Sequence, residues 1–126
     1  MDLNNPVIKL CIAGSQAEFA GQPERASELY QQAWQSASDD YEACIAAHYL
    51  ARFQPSPADS LRWNQEALRR AEALKDGRAK DFYPSLYLNL GRSYELLGDP
   101  IEARRYYDLA ANLGFHHLEE DHPNTP

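Results

Sequence analysis

Three breaks divide an otherwise helical pattern: Gly21-Gln22-Pro23, Pro55-Ser56-Pro57 and Gly98-Asp99-Pro100. A chain cut this way folds as short helices joined by tight turns. The last break has the clearest surroundings. Before it, Tyr87, Leu90, Gly91 and Tyr94 are spaced 3, 1 and 3 apart, which keeps them on one helical face. Gly98 suits a left-handed C-cap, Asp99 an N-cap and Pro100 the first helical position. After it, Ala103, Tyr107 and Ala110 line the inner face of a second helix. The small residues Gly91 and Ala103 let the two backbones approach, with Tyr94 and Tyr107 filling the space beside them.

The same arrangement precedes it twice. Around the first break, Leu10, Ala13 and Gly14 are followed by Ala26, Tyr30 and Ala33, and Ala17 stands where the first helix would carry its second aromatic. Around the middle break, Cys44, Ala47, His48 and Ala51 are followed by Ser60, Asn64 and Ala67, with apolar stripes from Leu50, Phe53, Leu61, Trp63 and Leu68. His48 replaces a small residue and Asn64 an aromatic. Buried polar groups need partners, so His48 and Asn64 are expected to be neighbours joined directly or through one water. The extra residues 75–83 predict a longer second helix, a turn near Asp76-Gly77 and a longer start to the next helix. Helices are expected at about 6–20, 23–38, 40–53, 57–76, 80–97 and 100–114.

Residues 84–114 resemble a tetratricopeptide repeat, a motif of about 34 residues in two antiparallel helices. The resemblance rests on Tyr87, Leu90, Gly91, Tyr94, Ala103, Tyr107 and Ala110; Phe115 stands where the family most often has proline. It extends to three repeats, at about 7–40, 41–74 and 84–117, within one domain spanning 1–126, with 118–126 as a flexible tail. It implies an all-α fold, a right-handed α-α superhelix of six helices in three antiparallel pairs. About three repeats suffice to bury each other's apolar faces.

Composition agrees. The chain is rich in Ala, Leu, Glu, Arg and Gln, all good helix formers, and has no period-two alternation. The net charge is −7, from 12 basic and 19 acidic residues. No basic stripe points to nucleic acid. Arg69, Arg70, Lys75, Arg78 and Lys80 cluster, and read as a solvated helix end. No apolar run approaches a membrane span, and Met1 to Pro6 lacks the basic region of a signal peptide, so a cytoplasmic protein is expected. Cys11 and Cys44 read as reduced, buried thiols.

No phosphate-binding glycine loop, metalloprotease helix or nucleophile elbow occurs, so neither an enzyme nor a cofactor is expected. His116, His117, Glu119, Glu120, Asp121 and His122 could ligate a metal, but read better as part of a polar tail. The resemblance implies an interaction module whose first helices line a concave groove for a partner's peptide or helix. The groove positions are Ile8, Cys11, Ser15 and Glu18; then Glu42, Ile45, Tyr49 and Arg52; then Ser85, Leu88, Asn89, Arg92 and Glu95. One subfamily clamps chaperone-tail carboxylates with lysine, asparagine and arginine. Cys11, Ser15, Ala46, Ser85 and Asn89 occupy those places here, so that ligand is not expected. The alternatives are a regulatory sensor for a small peptide or metabolite, and a self-associating structural module. Ile101, Tyr106, Leu109 and Leu113 mark an apolar last helix with no full cap after it, so either Phe115 and Leu118 fold back over it or a homodimer covers it.

Gly98→Val forces a β-branched residue into the left-handed cap. It should lower the melting temperature, at a cost of about 1–2 kcal/mol; an unchanged melting temperature would remove the turn from Gly98.

Overall fold

The computed structural model describes residues 2–114, and four of its six α-helices start at a side-chain cap. Asn5 Oδ1 accepts from the backbone N–H of Val7 and Ile8, opening α1 (Pro6–Phe19). Helix α2 spans Pro23–Ser36 with proline in its first turn. Asp39 caps α3 (Asp40–Leu50), Ser56 caps α4 (Pro57–Ala73) and Asp99 caps α6 (Pro100–Asn112). Helix α5 covers Tyr83–Leu96. Each capping side chain satisfies donors that the first helical turn leaves orphaned.

Two of the turns are built alike. Gly21 has φ 74° and Gly98 φ 79°, the left-handed region. Past them, Gln22 N–H donates to Ala17 C=O and Asp99 N–H to Tyr94 C=O, both at 2.9 Å. These bonds, with those from Gly21 to Glu18 and from Gly98 to Glu95, close a Schellman motif at each helix end. The middle turn has no glycine and ends differently. Residues Ala51–Phe53 tighten into a 3-10 turn, and Gln54 goes extended before Pro55. Side chains then take the loose carbonyls: Ser60 Oγ donates to Ala51 C=O at 2.7 Å and Gln54 Nε2 to Leu50 C=O at 2.9 Å.

The second helix of the middle pair is longer than its counterparts, at 17 residues against 14 and 13, but ends before the expected residue 76. Helix α4 stops at Ala73, and Leu74 turns extended. Leu74 packs against the core cluster that contains Ala71, Ala79 and Leu86, so the chain returns to the core instead of running on as helix. Gly77 makes the expected turn at φ 84°, and Lys80–Phe82 form a separate 3-10 turn before α5.

The six helices pack as three hairpins, α1/α2, α3/α4 and α5/α6, and no strand occurs among the described residues. The first helices run the same way: Asn5 meets Glu42 and Glu18 meets Arg52 between α1 and α3, while His48 meets Asn89 between α3 and α5. Ile8, Leu29, Tyr30, Ile45 and Leu50 centre one core cluster, and Cys44, Ala47, Ala67 and Leu86 another. Trp34 and Trp63 join the two clusters edge to face at 4.9 Å, a geometry that adds about 0.5–1.5 kcal/mol beyond burial. No helix among the described residues is long and apolar enough to cross a membrane.

Within the outer hairpins a tyrosine ring lies on a glycine. A Cβ on Gly14 would sit 2.3 Å from Tyr30 Cε1, and one on Gly91 2.5 Å from Tyr107 Cε1. Tyr30 is 0% exposed and cannot swing aside, whereas Tyr107 is partly exposed. Gly14→Ala should therefore lose about 1–3 kcal/mol to overpacking. Gly91→Ala should lose less, because its ring can yield and alanine gains about 1 kcal/mol of helix propensity. Urea unfolding midpoints measure both; an equal or larger loss at Gly91 would refute the ring-yielding argument.

Candidate functional site

The glycine–tyrosine stack has a third member. Tyr30 Oη donates to Glu18, and Tyr107 Oη donates to Glu95, each pair 12 residues apart. In the outer hairpins the phenol thus ties the second helix to the end of the first. Burial, with the Glu18 hydrogen bond next, pushes the Tyr30 phenol well above its ordinary range. Ser15 Oγ lies 3.3 Å from the same hydroxyl, and Tyr49 stacks on the ring at 5.0 Å.

The middle hairpin changes all three members together. His48 stands in the glycine place, Asn64 in the tyrosine place and Arg52 in the glutamate place. No phenol fills the gap and no carboxylate awaits it. The consequence is a cleft of about 470 Å³ between the middle and last hairpins. His48, Arg52 and Asn64 line one side. Asn89, Arg92 and Ser93 of α5 line the other. A smaller pocket of about 150 Å³, lined by Cys44, Ile45, Phe82 and Leu86, adjoins it and shares His48 and Ser85.

His48 and Asn64 line one cleft, but the expected bond between them is not made. Asn64 Nδ2 donates to Ser93 Oγ at 2.9 Å, and Asn89 Nδ2 lies 3.3 Å from His48 Nδ1, which accepts in the Nε2–H tautomer. Both partners come from α5, because that helix packs into the opening that a tyrosine at position 64 would close. Asn64 is 4% exposed, and its Oδ1 has no partner among the described residues. A buried acceptor left unpaired costs about 1–3 kcal/mol.

The charges around the cleft are of one sign. Among the described residues no aspartate or glutamate lines it. Arg52 reaches back to α1, where its Nη2 meets Glu18 Oε2 at 2.9 Å, while half its side chain stays exposed. Arg92 is exposed and has no ion-pair partner among the described residues. The basic cluster further along is neutralised instead: Arg70 pairs with Glu66 at 2.7 Å and Asp40 at 3.0 Å, and Arg78 with Asp76 at 2.7 Å.

The expected groove residues divide. Ser15, Glu18, Tyr49 and Arg52 join one network through Tyr30, and Asn89 and Arg92 face the cleft. Glu95 holds Tyr107. Cys11, 2% exposed, is a core residue and not a groove residue, as is Ile8, while Ile45, 5% exposed, belongs to the core and touches only the smaller pocket. They sit where α1 and α3 press together, so their apolar side chains are covered by the neighbouring hairpin. Burial pushes the thiols of Cys11 and Cys44 up to about 12, and both are free. Glu42 serves structure: it accepts from Asn5 Nδ2 at 2.8 Å and from Ser38. Asn64 and Ser93 are site residues that the groove pattern omits. Polar side chains on otherwise apolar inner faces were the available signal. Among the described residues no group of three or more His, Cys, Asp or Glu could hold a metal ion, and the histidines from His116 onward lie outside them.

No protein-family model matches the chain, and neither a curated protein nor a solved structure matches it.

His48 gives the site a pH signature. Burial, reinforced by the Arg52 charge, lowers its pKa from the ordinary 6.5. The unfolded chain then binds a proton that the folded chain refuses, so this group's contribution is complete above pH 6.5. It is lost as pH falls from there to the lowered folded value. The melting temperature should fall across that window, and His48→Gln should flatten the fall. A profile unchanged by the substitution would show that His48 is not its source.

Proposed function

We propose that the chain is a non-enzymatic interaction module of the tetratricopeptide type, one right-handed α-α superhelix, acting in the cytoplasm. It holds a peptide or helical segment of a partner protein against its first helices. The observation supporting this most is the side-by-side, same-direction alignment of α1, α3 and α5 with polar ends. Glu18, Arg52, Asn89 and Arg92 occur along that row. Mixed charge on such a surface favours a polar segment and fixes its register. Arg92 is the residue best placed to select charge, because its exposed guanidinium has no ion-pair partner among the described residues.

A panning experiment with a random peptide library tests the reading. Enriched peptides should lose binding to Arg92→Glu, with the melting temperature unchanged within the ~0.5 kcal/mol usual for exposed sites. They should keep it for Arg104→Ala, on the exposed side of α6. Peptides that bind Arg92→Glu unchanged would move the site off the first helices.

Self-association is a second reading, favoured by apolar residues left uncovered on α6 and at its C-cap. Ile101 is 79% exposed and Leu113 50%. Residues 115–126, including Phe115 and Leu118, lie outside the described part. Light scattering decides this one: a dimer mass that reverts to monomer on Ile101→Lys supports it, and a monomer mass at all concentrations ends it.

A further inference from the structure

We infer that the pocket between α3 and α5 is a binding site for a small uncharged aromatic compound, of about phenol size, with one hydrogen-bond acceptor on its ring. The inference goes beyond the groove reading and does not rest on it. Where α1 and α3 meet, the first helices pack shut. Where α3 and α5 meet, they leave a volume of about 150 Å³. The loop 75–83 shapes it, because the 3-10 turn at its end brings Phe82 into the wall. An apolar cavity of this size holds water poorly and admits a single benzene ring.

Charge decides the class of ligand. No Asp, Glu, Lys or Arg lines the pocket; Arg52 and Arg92 belong to the adjoining cleft. Burial and the Arg52 charge lower the pKa of His48, so its ring is neutral at pH 7. An ion entering here would lose its hydration with no opposite charge to meet it. A neutral compound has no such loss.

The walls decide its shape. Tyr49 and Phe82 are aromatic, and each is held by another ring. Tyr49 stacks on Tyr30 at 5.0 Å, and Phe82 lies against Tyr41 at 5.8 Å. Walls fixed before a ligand arrives cost little ordering on binding. Fixed rings also favour a further ring in offset or edge-to-face contact.

The polar edge decides the substituent. His48 and Ser85 line both the pocket and the cleft, so they mark where the two join. His48 Nδ1 accepts from Asn89, which leaves Nε2–H as the donor for a ligand. Ser85 is exposed, and its hydroxyl can donate as well. A phenolic or carbonyl oxygen answers these donors, and a bare hydrocarbon does not.

The test is an NMR titration of the full chain with phenol, toluene, cyclohexanol and N-acetyl-L-tyrosine amide. Phenol is expected to bind with a dissociation constant of about 1 mM or below and to shift the amides of Tyr49, Phe82 and Ser85. It should bind about fivefold tighter than toluene, which has the shape without the oxygen, and than cyclohexanol, which has the oxygen without the ring. Ser85→Trp fills the rim from an exposed position and should abolish phenol binding at unchanged melting temperature. His48→Leu should erase the advantage of phenol over toluene. If either variant fails to fold, the amide shifts of the unaltered chain still locate phenol. Equal binding of phenol and cyclohexanol would overturn the aromatic assignment, and equal binding of phenol and toluene the acceptor. Phenol binding kept by folded Ser85→Trp, or shifts confined to other residues, would overturn the location. Tighter binding of the tyrosine amide than of phenol would overturn the free compound in favour of a partner's side chain. No binding of phenol at about 10 mM would overturn the inference altogether.

Discussion

The close seat of a tyrosine ring on a glycine sets the spacing of the hairpins. Where Gly14 meets Tyr30 and Gly91 meets Tyr107, the missing Cβ lets the two helices of a pair come together around a ring. The phenol then has a fixed place to reach, and a glutamate on the first helix supplies it. Volume and hydrogen bond are satisfied by one side chain. Interiors packed this closely do not tolerate half the exchange: an added methyl meets the ring, and a lost ring leaves a void.

In the middle hairpin the whole set is exchanged, and the packing changes with it. A histidine on the first helix occupies the room the glycine would leave. An asparagine is too short to replace a phenol. The surplus space becomes the cleft, and the surplus polarity must find partners in the next hairpin. Asn89 and Ser93 provide them. The same polar contacts that join the middle hairpin to the last one also give the cleft its lining. Packing and cleft are therefore coupled here: the covered Asn64 oxygen, without a partner among the described residues, weakens the fold beside the cleft.

Electrostatics sharpen the contrast between this face and the rest of the surface. Most of the arginines are neutralised locally, several within one helical turn, as with Arg62 and Asp59 or Arg105 and Glu102. Such exposed pairs contribute little to stability. Arg52 differs in reaching from one hairpin to another, and Arg92 is exposed with no ion-pair partner among the described residues. An acidic chain thus keeps a small cationic patch where three helices run side by side.

The helices were legible in the sequence because their signals are local. Asn5, Asp39, Ser56 and Asp99 cap within three residues, and glycine at 21 and 98 needs only its own φ to end a helix. The end of α4 was not legible, since Leu74 leaves the helix to pack against a core cluster that includes residues as distant as Cys44 and Leu86. The groove was legible in part. Spacing places Cys11, Ser15 and Glu18 on one stripe of α1, but the edge of the stripe that a neighbouring hairpin covers depends on how the hairpins lean. That lean put Cys11 and Ile45 inside and left Arg92 outside. The sequence by itself determined six helices, their turns and the odd chemistry of His48 and Asn64. Only the tertiary structure decided where that chemistry is answered, because the partners of both residues lie 41 and 29 positions away on a helix no local rule brings near.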